Sequence, residues 1–209
     1  MVKIDLITGF LGSGKTTFLK KYAKRLMEQG QNIGILENDF GAVNVDMMLL
    51  QELEGEQCEL EMISGGCDPE THRRRFRTKL IAMGMCGYDR VLVEPSGIYD
   101  MDEFFDVLHE EPLDRWYEIG NVIAVVDARL EDALSPEAEY LLASQAANAG
   151  CMILSKCDTA TEEQRRNTIA HLKRSLTALG CKQRADQKVL CEGAEPLPDQ
   201  DFATILSCG

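Results

Sequence analysis

A short stretch near the start of the chain constrains the fold more than any other feature. The apolar segment Ile4–Thr8 leads into Gly9-Phe10-Leu11-Gly12-Ser13-Gly14-Lys15-Thr16-Thr17, which has the spacing G-x-x-x-x-G-K-T. Glycines allow consecutive backbone N–H groups to turn towards phosphate oxygens. A helix that begins at Lys15 or Thr16 points its free N–H groups at the same anion. The stretch therefore predicts a strand, a phosphate-binding loop and a helix, and with them a nucleoside triphosphate site.

The side chains of this loop have distinct expected roles. Lys15 brings a positive charge to the β- and γ-phosphates, and the hydroxyl of Thr16 is a ligand for Mg²⁺. Both are therefore expected to be catalytic residues. The complete set of predicted phosphate-binding residues is Gly9, Gly12, Ser13, Gly14, Lys15, Thr16 and Thr17.

The charge balance excludes some classes of partner. The 209 residues carry a formal net charge of −13. Nucleic acids and anionic membranes attract clustered cations, so we expect no nucleic acid and no membrane as a partner. No apolar run approaches the length of a membrane span, and Met1 leads directly into the first strand. These features predict a cytoplasmic protein without a signal peptide, and the chain is expected to form a single domain over residues 1–209.

The eight cysteines predict free thiols rather than disulfides. None forms a C-x-x-C pair, and Cys151 lies in a segment typical of a buried strand. In a reducing compartment, cysteines of this kind are small apolar side chains.

Apolar segments alternate with segments of helical periodicity along the chain. The expected later strands are 32–36, 90–93, 122–126, 151–154 and, weakly, 188–191. The expected helices are 15–30, with Gly30 as C-cap, then 98–118, 136–149, 161–179 and 201–207. The sequence predicts a loop at residues 37–46. Residues 47–66 are acidic, and their pattern leaves the secondary structure ambiguous. The alternation indicates an α/β fold with a doubly wound, mostly parallel sheet and helices on both faces.

A basic helix is expected after the ambiguous segment. Its positively charged side chains are Arg73, Arg74, Arg75, Arg77 and Lys79. Such a run is usually a solvated helix face. The alternative is that it pairs with an acidic surface elsewhere in the fold or presents an arginine to phosphate.

Four motifs, in this order, resemble the metal-centre GTPase class that includes CobW, UreG and HypB. The phosphate loop and Glu37-Asn38-Asp39-Phe40-Gly41 are most similar to the CobW branch. Glu94-Pro95-Ser96-Gly97 resembles the Glu-x-x-Gly of the class, and Ser155-Lys156-Cys157-Asp158 resembles the guanine-reading Asn-Lys-x-Asp. The resemblance covers residues 2–160 well, and it implies the fold of a P-loop NTPase.

The resemblance assigns roles to residues of the last two motifs. Glu94 would hold Mg²⁺ through water and the backbone N–H of Gly97 would donate to the γ-phosphate, so both join the expected catalytic residues. Asp158 can accept hydrogen bonds from N1–H and N2–H₂ of guanine, a donor pair that adenine lacks. The stem of Lys156 would lie along the base, and Ser155 stands where the family has an asparagine whose amide braces the loop. The implied cofactors are GTP and Mg²⁺.

The chain departs from the family pattern at the metal-binding motif. Where the CobW family carries Gly-Cys-x-Cys-Cys, this chain has Gly66-Cys67-Asp68-Pro69-Glu70, so only the first cysteine remains. The candidate ligands for Zn²⁺ or Co²⁺ are Cys67, Asp68, Glu70 and Glu37, with His72 close by in the sequence. The alternative is that Cys67 is an ordinary buried thiol. The carboxyl-terminal domain of the family is expected to be absent.

The leading prediction is a slow, Mg²⁺-dependent GTPase that helps to insert a metal or metal cofactor. Its expected partner is a client metalloenzyme or cofactor-assembly protein, and a nucleotide-dependent homodimer is a further expectation. A second interpretation is a nucleotide-binding regulatory or scaffold module without metal delivery. A third is an ATP-dependent kinase or ligase, which the Ser-Lys-x-Asp motif disfavours.

Overall fold

The chain folds around one parallel sheet. A computed structural model describes residues 1–39, 45–64, 68–96, 101–131, 133–181 and 188–208. The strands are β1 (Val2–Thr8), β2 (Ile33–Asp39), β3 (Cys58–Ser64), β4 (Arg90–Pro95), β5 (Tyr117–Asp127), β6 (Cys151–Ser155) and β7 (Val189–Cys191). Their order in the sheet is β3-β2-β4-β1-β5-β6-β7, and every pair of neighbouring strands is parallel.

Helices cover both faces of this sheet. The helices are α1 (Lys15–Glu28), α2 (Val45–Leu50), α3 (Pro69–Gly84), α4 (Met101–Leu108), α5 (Leu113–Trp116), α6 (Pro136–Asn148), α7 (Glu162–Ala178) and α8 (Asp199–Leu206), with a 3₁₀ turn at Gln51–Leu53. Apolar side chains of α1, α2 and α8 form one core with the sheet, and those of α3 to α7 form a second. The predicted doubly wound α/β fold is confirmed.

The two cores explain why the central strands are apolar throughout. Along β4, Val91 and Val93 belong to one core and Leu92 belongs to the other. Successive side chains of a strand point to opposite faces, so a strand covered on both faces buries every position. Within the described residues, no helix has the length and apolar character needed to cross a membrane.

The structure corrects three of the predicted boundaries. The ambiguous segment contains β3, which pairs with β2 along its length, so that β2 is paired on both sides and continues to Asp39 rather than ending at residue 36. The predicted helix over 98–118 is wrong as a single element. Two short helices occupy its described part, with a turn between them, and β5 already begins at Tyr117 because β1 pairs with it there.

Carboxyl ends of the strands place the predicted motifs along one edge of the sheet. The phosphate loop follows β1, Glu94 lies at the end of β4, and Ser155 ends β6. Because all strands run the same way, these three places share the edge at which open α/β sheets bind ligands.

Candidate nucleotide-binding site

The loop between β1 and α1 has backbone geometry that suits glycine. Gly9, Gly12 and Gly14 have φ angles of 144°, 73° and 92°, respectively, which side chains other than glycine rarely adopt. A Cβ atom on Gly9 would lie 2.2 Å from the carbonyl oxygen of Val125 in β5. The glycine spacing found in the sequence therefore reflects both the turn itself and the close packing of the loop against the sheet.

Helix α1 begins at the end of this loop with its amino end open to the site. Gly14 is the N-cap and supplies no side-chain hydrogen bond to the free backbone N–H groups. Lys15 and Thr16 are buried in the first turn, and the Lys15 ammonium donates to the carbonyl of Phe10 at 3.3 Å. The lysine is thus folded along the loop, next to the N–H groups that an anion would use.

Thr16 and Glu94 are brought together from distant parts of the sequence. The Thr16 hydroxyl donates to Glu94 Oε1 at 2.8 Å, and both residues are buried. Glu37 is the register partner of Glu94 on the adjacent strand β2 and is also buried. A hydroxyl and a carboxylate beside a phosphate loop are oxygen ligands of the kind that Mg²⁺ uses, so these residues fit the implied ion.

Ser155 braces the phosphate loop although it lacks an amide. Its hydroxyl is hydrogen-bonded to the carbonyl of Ser13 and lies 3.3 Å from the carbonyl of Val126. A hydroxyl has one proton, so it donates to one carbonyl at a time. Although serine stands where the family has asparagine, a hydrogen bond still connects β6 to the phosphate loop.

Lys156 provides a second link between the same elements. Its backbone is left-handed, with φ at 56°, and its ammonium lies 2.7 Å from both the carbonyl of Gly12 and the carboxylate of Asp127. Burial tends to raise the pKa of Asp127, but hydrogen bonds from Arg129 and Lys156 outweigh it and lower the pKa to about 2. Asp127 is thus an anion that holds two cations beside the loop.

A cavity of about 340 Å³ lies beside these residues, at the place that the resemblance implies for the base. Asp158 is exposed at its wall. The residues that line the cavity are Thr17, Lys21, Arg129, Lys156, Asp158, Thr159, Glu192, Gly193 and Ala194. The predicted residues Lys156 and Asp158 are therefore brought together with Thr17 of the phosphate loop.

One wall of this cavity was missed by the sequence analysis. The segment after β7 packs on Asp158, where a Cβ atom on Gly193 would lie 3.2 Å from Asp158 Cβ. Lys21 of α1 forms an ion pair with the buried Glu192, and its ammonium also donates to the carbonyls of Gly193 and, at 2.9 Å, of Glu195. No local motif marks this segment, because its contacts with Lys21 and Asp158 form only in the folded protein.

The candidate transition-metal ligands are only partly described. Cys67 lies outside the described residues, as does Gly97 of the nucleotide site. Asp68 is the exposed N-cap of α3, and its carboxylate accepts from the Thr71 backbone N–H at 2.8 Å. Glu70 is exposed in the first turn. In the part of the chain that the structure describes, no three His, Cys, Asp or Glu side chains are grouped as a metal site.

His72 and the basic helix make internal contacts. His72 is buried 3.8 Å from Glu103 of α4, rather than exposed to solvent. Arg73 and Arg77 lie 2.7 and 2.8 Å, respectively, from the carboxylate of Glu110. Lys79 similarly pairs with Glu61 of β3 at 2.7 Å. Part of the basic run therefore pairs with acidic groups of the fold, which was one of the predicted alternatives.

Comparison with known proteins gives a consistent assignment. The family model for the CobW/HypB/UreG nucleotide-binding domain matches residues 3–182. Zinc chaperone YjiA from Escherichia coli strain K12 is 28% identical over 172 residues, which cover 78% of this chain and 52% of that protein. Zinc chaperone YeiR from the same strain is 29% identical over 164 residues, covering 78% and 49%. The chain thus spans about half the length of these relatives.

Solved structures share the fold. HypB from Helicobacter pylori, in complex with nickel, matches with a TM-score of 0.60 and 16% identity, covering 99% of this chain and 84% of that one. A Zn(II)-bound triple mutant of the YjiA GTPase matches with a TM-score of 0.58 and 21% identity, covering 98% and 60%. Because the family model matches most of the sequence, this chain belongs to the CobW/HypB/UreG family of nucleotide-binding domains.

Proposed function

We propose that this chain binds GTP with Mg²⁺, hydrolyses it slowly, and serves as a metallochaperone or accessory protein for inserting a metal cofactor into a client metalloenzyme. The observation that carries the proposal is the buried contact of 2.8 Å between Thr16 and Glu94 beside the glycine loop. The names of the relatives, zinc chaperones, support the metal-handling part. The free thiols of the described cysteines suit a reducing cytoplasm.

In this proposal the phosphates lie on the loop and the amino end of α1. Lys15 would release the Phe10 carbonyl and pair with the β- and γ-phosphates, while Thr16 and Glu94 are the residues that would hold Mg²⁺. When bound, Mg²⁺ neutralises charge on the phosphate oxygens. Gly97 would donate its backbone N–H to the γ-phosphate, and Glu37 beside Glu94 would connect the nucleotide to the adjacent loop.

The base would occupy the cavity beside Asp158. Its carboxylate is suited to the N1–H and N2–H₂ donors of guanine, and the aliphatic stem of Lys156 can cover the ring. Thr17 and the segment 192–194 enclose the other sides. Such a site favours GTP over ATP, because adenine would leave the carboxylate without its partners.

Slow turnover follows from how the nearby cations are used. Lys156 and Arg129 are both held by Asp127 on the base side of the loop. Arg73 is paired with Glu110, so it would have to exchange partners before it reached a phosphate. We therefore propose unassisted turnover on the order of 10⁻⁴ to 10⁻² s⁻¹, as in switch GTPases without a supplied arginine. A nucleotide-dependent homodimer is the proposed source of such an arginine.

The proposed cargo is Zn²⁺ or Co²⁺, bound by Cys67 with carboxylates of Glu37, Glu70 and Asp68. Asp68 would have to leave its capping bond to Thr71, so it is the weakest member of the set. One thiolate with carboxylates should bind at micromolar strength or weaker and should release a proton as the cysteine ionises.

A regulatory or scaffold module without metal delivery is the second candidate. The positions of the family's second and third motif cysteines are Pro69 and Glu70, the first residues of α3. A proline suits the first turn of a helix and cannot ligate a metal. The start of α3 at Pro69 therefore supports the second candidate, in which the chain binds a nucleotide and does not carry a metal.

Calorimetric titration of purified protein with Zn²⁺, with and without GTP and Mg²⁺, separates the two candidates. Metallochaperone function predicts binding that GTP alters and that Cys67→Ala removes. Identical Zn²⁺ isotherms for the unmodified protein and Cys67→Ala would contradict metal binding by Cys67 and support the regulatory or scaffold module. The same calorimetric method tests the proposed nucleotide binding. Thr16→Ala should reduce the affinity for GTP in the presence of Mg²⁺ and change it little in EDTA.

A further inference from the structure

Two cysteines meet beside the base cavity. Cys157 lies between Lys156 and Asp158, and Cys191 ends β7 directly before Glu192. Burial and the neighbouring Cys191 raise the pKa of the Cys157 thiol, and Cys191 is exposed. The backbone holds them together, because Leu154 and Cys191 are register partners and the Cys157 N–H donates to the Glu192 carbonyl at 2.9 Å.

Each cysteine is joined to a different wall of the cavity. Cys157 is flanked by the two residues that would read the base, while the residues after Cys191 form the wall that packs on Asp158. The two segments come from positions more than thirty residues apart in the sequence. A covalent bond between the thiols would therefore connect the two sides of the cavity.

We propose that Cys157 and Cys191 form a reversible disulfide that weakens nucleotide binding in the base cavity. The inference rests on the proposed function, because it regulates the same site. The oxidant is a low-molecular-weight disulfide such as oxidised glutathione.

The chemistry is two thiol–disulfide exchanges. The exposed Cys191 loses its proton and attacks one sulfur of the oxidant, which forms a mixed disulfide and releases one thiol. Cys157 then loses its proton and attacks the Cys191 sulfur, which releases the second thiol and leaves the Cys157–Cys191 bond. In sum, two protein thiols are oxidised and one small disulfide is reduced to two thiols.

Order of attack follows from the surroundings of the two thiols. Burial and the contact with Cys191 raise the pKa of the Cys157 thiol to about 12, so it remains protonated in the reduced protein. The exposed cysteine is therefore the first nucleophile, and the half-buried Cys157 resolves the mixed disulfide within the molecule.

The bond would alter the cavity because the two sulfur atoms must leave a non-bonded separation for a covalent one. The Cys157 thiol also lies 3.1 Å from the carbonyl of Leu154, a contact that it would lose. Movement of Cys157 is transmitted to Asp158 and Lys156, which follow and precede it. The effect should fall on the base more than on the phosphates, whose main donors belong to the loop at 9–17.

A second thiol pair in the same protein is a matched control. Burial and the neighbouring Cys208 likewise raise the pKa of the Cys151 thiol, and Cys151 starts β6 at the end opposite the site. A disulfide there would close a loop without touching the cavity.

The test uses the full chain equilibrated with reduced and oxidised glutathione. Disulfides are mapped by mass spectrometry after alkylation, and affinities for GTP and inorganic triphosphate are measured by calorimetry. We expect the Cys157–Cys191 bond to form, GTP affinity to fall at least about fivefold, and triphosphate affinity to change less. Dithiothreitol should restore binding. Cys191→Ser should keep its GTP affinity under oxidation, whereas Cys208→Ser should lose it as the unmodified protein does.

Absence of the Cys157–Cys191 bond in oxidised protein that binds GTP when reduced would overturn this proposal alone. So would a bond that leaves GTP affinity unchanged, or an equal loss in Cys191→Ser. Failure of the reduced protein to bind GTP would instead overturn the proposed function, and this regulation with it. Circular dichroism of the oxidised protein distinguishes loss of the cavity from loss of the fold.

Discussion

Two buried polar clusters lie on β1, and they differ in origin. One follows its carboxyl end, where the phosphate loop meets Thr16 and Glu94. The other is built around Asp5, in the middle of the strand and fully buried. The first consists mainly of neighbours in sequence, and its pattern predicts it. The second contains residues from four separate segments, and no local sequence pattern predicts it.

The Asp5 cluster is a buried network of hydrogen bonds among four residues. Asp5 accepts from Arg90 at 2.6 Å, from the hydroxyl of Tyr22 at 2.8 Å and from the backbone N–H of Asn121 at 2.7 Å. The side chain of Asn121 donates to Tyr22 at 2.9 Å. Burial and the neighbouring carboxylate of Asp5 raise the pKa of Tyr22, which keeps its proton available. The pairing of β1 with β5 is irregular at this point, next to Gly120, where a Cβ atom would lie 2.2 Å from Asp5.

Buried polar groups therefore have two different roles along the same strand. At the loop, the proposed function has the glycine backbone and Lys15 bind an anion from outside the protein. At Asp5, every partner belongs to the protein, so the cluster ties α1, β4 and β5 to β1. We expect substitutions in the first cluster to change binding and those in the second to change stability.

Arg90→Met should give the largest effect. It leaves the buried carboxylate of Asp5 without its cation, and breaking such a pair costs about 3–5 kcal/mol in the free energy of unfolding. Lys79→Met is the matched control, because its pair with Glu61 is partly exposed and should contribute less than about 1 kcal/mol. Urea denaturation measures both. If Arg90→Met does not fold, Tyr22→Phe should still lose about 1–2 kcal/mol; equal stabilities for these variants and Lys79→Met would contradict the comparison.

Lys15→Ala should have the opposite effect to Arg90→Met: a large loss of nucleotide binding and a small loss of stability. Loss of the cation for the β- and γ-phosphates should weaken GTP binding at least about 100-fold, or about 2.7 kcal/mol. The free energy of unfolding should change by less than about 1 kcal/mol, because the substitution removes one partly buried hydrogen bond of 3.3 Å, from the lysine to the Phe10 carbonyl. Calorimetry with GTP and urea denaturation on the same sample check both. Unchanged GTP affinity would remove the phosphate-site assignment.

Asp158→Asn tests the base side of the nucleotide cluster. The unmodified protein should bind GTP about tenfold more tightly than ATP, a difference of about 1.4 kcal/mol. The variant exchanges an acceptor for a donor and should lose most of this preference. Asp114→Asn, at an exposed position of α5, is the control and should retain it. Competition between the two nucleotides is the measurement; a preference that survives Asp158→Asn would place guanine recognition elsewhere.

The smallest expected effect is a pH dependence from Asp127. Its pKa is about 2 in the folded protein and below the ordinary value of 3.8, so its ion pairs stabilise the fold fully above about pH 4. This contribution is lost as the pH falls from about 4 towards 2. Urea denaturation at pH 5 and pH 3 should show Asp127→Asn less stable than the unmodified protein at pH 5, with a smaller difference at pH 3. If the difference in stability were the same at pH 5 and pH 3, the ion pairs of Asp127 with Lys156 and Arg129 would not be its cause.

Several parts of this molecule could be predicted because their physics is local. The G-x-x-x-x-G-K-T spacing specifies a turn and the start of a helix, and Gly30 follows the end of α1 in a left-handed conformation. Apolar runs such as 122–126 are typical of strands covered on both sides. Long crossovers then lead to a parallel sheet, so the fold and the position of the phosphate loop followed from the sequence.

Strand β3 was missed for a physical reason. Its residues Cys58–Ser64 alternate acidic and apolar side chains in an acidic segment, and only pairing with β2 makes them a strand. The same pairing extends β2 to include Glu37, which lies beside Glu94 as a consequence. Edge strands of this kind depend on a neighbour more than on their own propensity.

Groups whose partners lie a few residues away could be predicted from the amino-acid sequence: the phosphate loop, the helix that follows it and the alternation of strands and helices that forms the sheet. Tertiary structure alone decided that Lys21 would hold the wall at 192–195, that Cys157 would meet Cys191, and that Asp5 would find Arg90. These contacts join residues separated by 34 to 174 positions. Their formation depends on strand order and register, which are properties of the assembled sheet and are encoded in no single segment.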